Sequence, residues 1–179
     1  THMRNLNCDQ HVIHVGPLIR REQIYKNDLM EDRKRLFGAL FHFTRKLPVS
    51  YICAKVKKSE CEDVVELTTK LTKSISKVLR DHAEYFESFD KIIVYYDNGQ
   101  VELTKILTTL FNALLYNVEF RKVKPSDYKL FQVADLVCTL ELLIEKASTS
   151  SFTSSESEFF HSERDFRREY YKYISQKHI

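Results

Sequence analysis

Asp97 directly follows the short apolar run Lys91–Tyr96 (KIIVYY). In open parallel sheets ligands bind beyond the carboxyl ends of the strands, so a carboxylate there suits a divalent metal or a general base. Asp97-Asn98-Gly99 is also good turn chemistry between a strand and a helix, and both readings stand. Asp135 is the second candidate. It sits in an apolar stretch with Ala134, Leu136 and Val137 beside it and Phe131 and Cys138 nearby on its face. An ionised carboxylate buried there costs several kcal/mol unless a cation, a hydrogen-bond donor or water compensates it. Asp127 lies two helical turns before Asp135 and roughly 80° round the axis, so the two can flank one cleft without sharing an ion. In a first turn, Asp127 also complements the helix dipole. Gln132, one turn before Asp135, can hydrogen-bond it or read a ligand.

The histidines say less. His11 and His14 are three apart on an expected strand and point to opposite faces, which makes them poor joint ligands. His14, next to Gly16-Pro17, can still line a pocket. The basic runs at 32–35 (DRKR), 55–58 (KVKK) and 121–124 (RKVK) offer Lys57, Lys58, Arg121 and Lys124 to phosphates, although such runs are commonly solvated faces. No HExxH, Walker A loop, GxSxG elbow or Gly-rich dinucleotide turn occurs, which argues against the common nucleotide-binding and hydrolase families. The four cysteines form no CxxC pair and no zinc spacing, consistent with reduced thiols in the cytoplasm.

These residues need a scaffold. The 179 residues suffice for one domain, and 43% hydrophobic with 30% charged residues is a globular balance. Three Gly and three Pro argue against a loop-rich or all-β fold, and a net charge of +3 does not by itself demand nucleic acid. No apolar run approaches the roughly 20 residues that cross a bilayer. Residues 11–15 (HVIHV) read as a strand ended by Gly16-Pro17. A helix follows from Leu29 to Leu47, then a strand Val49–Val56 and a long amphipathic helix Glu62–Phe86. The run Lys91–Tyr96 reads as a strand covered on both faces. Next come a helix Val101–Leu115, a strand Asn117–Val123 and a helix Asp127–Ala147, capped by Ser126 and apolar nearly all round. Residues 148–157 are a polar connection to a final helix, Glu158–Ile174. This order predicts a layered α/β domain with a mainly parallel central sheet flanked by helices. Thr1-His2-Met3 reads as a cloning remnant, and the chain as the C-terminal portion of a longer protein.

Three blocks taken together, HVGPLIRRE, IIVYYDNGQ and SDYKLFQVADL, resemble a bacterial and phage family known as domain of unknown function 3800. The likeness runs from about residue 11 to residue 175. It implies a ribonuclease H-like or integrase-like outline, in which acidic residues on a first strand, a later strand end and a late helix hold Mg²⁺ or Mn²⁺. By that resemblance Asp97 is the strand-end acid and Asp135 the helix acid, both metal ligands. Asp127 is a further catalytic contributor by that resemblance; independently of it, His14, Gln100 and Gln132 are read as substrate-binding residues. The family's Asp-Glu-Ser-Gly type motif on the first strand does not occur in this sequence.

Two functions follow as expectations. One is a metal-dependent nuclease or phosphodiesterase acting on nucleic acid, inactive if its first acid is missing, with that gap filled by a lost N-terminal segment or a second copy. The other is a non-catalytic module that binds nucleic acid or protein in a phage-related or defence system. Neither involves a membrane.

Overall fold

The computed structural model describes residues 12–97 and 101–179. They form a mixed α/β protein, predominantly helical, in two compact units. The first unit joins the described residues up to Ser50 to Pro125–Ile179, and the second is Tyr51–Lys124.

In the first unit, Val12–His14 runs extended into helix α1 (Val15–Arg20). The expected strand at 11–15 is therefore not formed by its described residues. The amides that a neighbouring strand would engage are taken by side chains: Ile13 N–H donates to Gln132 Oε1 at 3.3 Å and Val15 N–H to Asp135 Oδ2 at 2.8 Å. Gly16-Pro17, read as a strand terminator, instead lies in the first helical turn, where proline's missing N–H has no intrahelical acceptor to lose. A 3-10 turn, Gln23–Tyr25, leads to α2 (Met30–Lys46), close to the expected helix.

Buried Arg33 of α2 donates from Nη1 to the carbonyls of Leu18 and Ile19 at 2.9 and 3.0 Å. A guanidinium at these otherwise unpaired carbonyls fixes the end of α1. The other wall is α6 (Leu130–Ser148), which begins three residues after the expected start. Ser126 does not cap it: its hydroxyl donates to Asp127 Oδ1 at 3.1 Å, and both residues lie in a turn outside the helix. Nor is α6 apolar-buried all round, because Leu130, Ala134, Cys138 and Leu142 form an exposed stripe.

The polar connection is shorter than expected. Thr153 and Glu156 make a reciprocal capping box that starts α7 (Ser154–Phe160). The expected final helix is broken into α8 (Glu163–Phe166), a π-helical segment Arg167–Tyr171 and α9 (Lys172–Ser175). His161, in the left-handed region at φ 67°, turns the chain between α7 and α8. Phe37 packs edge-on against Phe159, Phe160 and Tyr170 with ring centroids 5.3–5.6 Å apart, joining α2 to these elements.

The second unit starts without the expected strand Val49–Val56. Tyr51, Ile52, Cys53 and Ala54 are all half-buried, not alternately in and out as a one-face strand requires. The predicted long helix is present as α3 (Val64–Asp81) and α4 (Ala83–Glu87), interrupted at His82. Asp63 caps α3 by accepting from Glu66 N–H at 2.7 Å.

Strand β1 (Ile92–Tyr96) runs parallel to β2 (Val118–Lys122), with Ile92 opposite Val118 and Tyr96 opposite Lys122. Helix α5 (Val101–Leu114) lies between the two strands in the chain. Ile75, Leu79 and Leu115 form the buried centre, with Leu103, Ile106, Leu107 and Phe111 packed against it. The sheet has two strands among the described residues, and β1 is not covered on both faces: Ile93 and Tyr95 are exposed while Ile92, Val94 and Tyr96 are half-buried.

Candidate functional site

The side chains of α1, the following turn and α6 surround an open pocket of about 380 Å³ in the first unit. Asp135, Thr139 and Leu142 line it from α6, and His14, Gly16, Arg20 and Gln23 from the other side. Asp135 and Thr139 stand one helical turn apart on the same face. Gln132, one turn earlier, is 2% exposed and holds Ile13 through its carbonyl oxygen, so it anchors the wall instead of lining the pocket. Its Nε2 is buried without an acceptor among the described residues.

Asp135 is half-buried and receives the Val15 N–H through Oδ2. Among the described residues no cation pairs with it, although the sequence demands compensation for a carboxylate in this setting. Among the described residues, one backbone donor and partial exposure supply the compensation. On the opposite wall, the Arg20 guanidinium folds back over Gly16: a Cβ there would lie 3.3 Å from both Nη1 and Nη2. Arg20 Nε also meets Glu22 Oε1 at 3.0 Å. Arg21 and Gln23 both hold left-handed backbone, at φ 60° and 53°. This conformation is uncommon outside glycine, and here it turns the chain so that Gln23 reaches the pocket.

The pocket thus combines a carboxylate, an imidazole, a guanidinium, an amide and a hydroxyl. The guanidinium suits an anionic oxygen, above all a phosphate, and the carboxylate suits a cation or a proton. A two-metal centre needs several carboxylates around ions roughly 3.5–4 Å apart. No group of three or more His, Cys, Asp or Glu side chains among the described residues could hold a metal ion, so these residues alone do not compose such a centre.

The other expected site residues do not line this pocket. Asp97 is exposed at the end of β1, in the second unit, whereas Asp135 belongs to the first. Asp127 is exposed in the turn before α6, outside the helix it was expected to begin. Gln100 lies outside the described residues. Lys57 faces Glu60 at 3.6 Å, and Lys58 and Lys124 are exposed.

Arg121 donates to Glu119 at 2.6 Å and to the Tyr95 hydroxyl at 3.3 Å. Its guanidinium, then the Lys91 ammonium, holds the Glu119 carboxyl down at about 2. Arg20, Gln23 and Thr139 were not singled out from sequence. Arg20 lies inside the HVGPLIRRE block and Thr139 four residues after Asp135, so helical spacing from Asp135 was the available signal for Thr139.

Comparison with protein-family models, curated protein sequences and solved structures finds no match to this chain. No helix among the described residues is long and apolar enough to cross a membrane.

Proposed function

We propose that the chain is a divalent-metal-dependent nuclease or phosphodiesterase of ribonuclease H-like type, with Asp135 as a Mg²⁺ or Mn²⁺ ligand. The observation that carries this reading is Asp135 itself: a half-buried carboxylate, without an ion-pair partner among the described residues, in a pocket that also presents Arg20 and His14. The parallel β1–α5–β2 unit supports the architecture in outline. Arg20 would meet a phosphate oxygen, and Gln132 would keep Asp135 in place through the shared segment Ile13–Val15. The reading requires further ligands. These would come from groups outside the described residues or from a second copy.

Asp135→Asn tests it well, because the amide oxygen can still accept the Val15 N–H while the charge is lost. Cleavage of labelled RNA and DNA with Mn²⁺ should fall by at least about a hundredfold, and Mn²⁺ binding by calorimetry should weaken with it. Unchanged cleavage and unchanged Mn²⁺ affinity would remove Asp135 from the chemistry. The absence of a three-ligand group among the described residues favours a second reading, a non-catalytic nucleic-acid- or protein-binding module. Binding without any metal-dependent cleavage by the unaltered protein would select it.

A further inference from the structure

A second basic surface lies on α3, made of cations that the sequence motifs did not suggest. From Leu67 to Arg80 this helix has no Asp or Glu, but it carries Lys70, Lys73, Lys77 and Arg80 among five serines and threonines. Lys70 is engaged by Glu66 at 2.9 Å. Lys73, Lys77 and Arg80 are exposed and have no ion-pair partner among the described residues. Solvated helical faces normally intersperse both signs, since like charges one turn apart oppose the helix and opposite charges support it.

Lys73, Lys77 and Arg80 border a groove of about 510 Å³ that Thr72 and Ser76 of α3 and Leu110 of α5 also line. Ser76 has no hydrogen-bond partner among the described residues, so its hydroxyl is available to an incoming oxygen. Asp81 also lines the groove, and its carboxylate disfavours an anion directly beside it.

We infer that this groove on α3 holds the phosphodiester backbone of a nucleic acid. Lys73 and Arg80 are about 10.5 Å apart along the axis. Lys73, Lys77 and Arg80 lie on one face within that length, and a row of cations there can neutralise neighbouring phosphates of a strand, whose charges recur every ~3.4 Å of duplex axis. A membrane surface fits less well: an interfacial helix lays its apolar face in lipid, whereas Leu71, Ile75 and Leu79 of α3 are packed in the core of this unit. The cations and hydroxyls that line the groove suit phosphate oxygens, which carry no sequence information directly.

The test is fluorescence anisotropy of the full chain with a labelled 20-base-pair duplex in EDTA. Cleavage is then silent, and the outcome is independent of the role of Asp135. Binding should weaken with salt. The triple change Lys73→Gln, Lys77→Gln, Arg80→Gln should lower affinity at least tenfold at 50 mM salt and reduce the log–log salt slope by about 2.7. The same number of changes at Arg35, Lys46 and Arg167 should alter neither by a comparable amount. If the triple variant does not fold, Lys73→Gln alone should still reduce the slope by about one. Equal binding by the α3 variant and the unaltered protein overturns the inference. So does equal affinity of the unaltered protein for polyglutamate or for phosphatidylserine vesicles.

Discussion

Burial deprives the Glu156 carboxylate of hydration and opposes its ionisation, yet the Lys146 ammonium at 2.6 Å and the Thr153 N–H at 2.8 Å outweigh that and hold it below the usual carboxylate value. Glu156→Gln keeps a side-chain oxygen for the capping box and loses the ion pair. It should cost about 2 kcal/mol in urea unfolding at pH 7, the scale of a charge-assisted hydrogen bond and less than a fully buried broken pair, because Lys146 can regain water. A lowered folded value means that the contribution is full above the ordinary value of 4.5 and fades as pH falls through the folded one. The unaltered protein should therefore lose more stability than the Gln variant on acidification below about pH 4.5, and parallel losses would exclude this assignment. Asp135 is the contrasting residue. Its need for compensation was legible in the sequence, but not the compensating group, because the Val15 N–H is 120 residues away in the chain.

Helix α2 contains Gly38 in its interior, where a Cβ would meet nothing within 4 Å. With helical backbone and open space, Gly38→Ala should raise stability by about 0.5–1 kcal/mol, read as a higher urea midpoint at unchanged slope. A lower midpoint would show that the glycine serves a contact. At this scale the sequence was most readable where a period ran long: α2 and α5 appear within a few residues of their expected limits, α3 and α4 together cover the expected long helix apart from its break at His82, and β1 and β2 lie where β-branched and aromatic runs placed them. The failures are short. At residues 11–15 and 49–56, a few alternating apolar residues could not show whether a partner strand exists. In the first case Gln132 and Asp135 occupy the described amides that such a partner would need. The α6 start failed differently, since Ser126 has the right chemistry for a cap but spends its hydroxyl on Asp127. Of the candidate site, the Asp135 wall was legible and the Arg20–Gln23 wall was not, because it depends on left-handed turns at Arg21 and Gln23 that no glycine announces.

The two units have unequal cores. The first buries large side chains almost completely, among them Phe37, Phe159, Phe160, Phe166, Leu136 and Leu140, whereas Ile75, Leu79 and Leu115 are the buried apolar residues of the second. Less buried apolar surface means a smaller opening free energy. In native-state hydrogen exchange, amides of α3 and α5 should exchange by openings of lower free energy than those of α2 and α6. The reverse ranking would show that the small core of the second unit is supported by something other than burial. The chain's route through the units has a mechanical consequence. It enters the second unit after Ser50 and returns to the first at Pro125, so both Val12 and Ile179 belong to the first unit. Tension applied between those two residues runs through the contacts that bind the early segment to α6 and α7, and bypasses Tyr51–Lys124. The weaker unit is mechanically shielded by the stronger one and bears load only after the first unit has torn open.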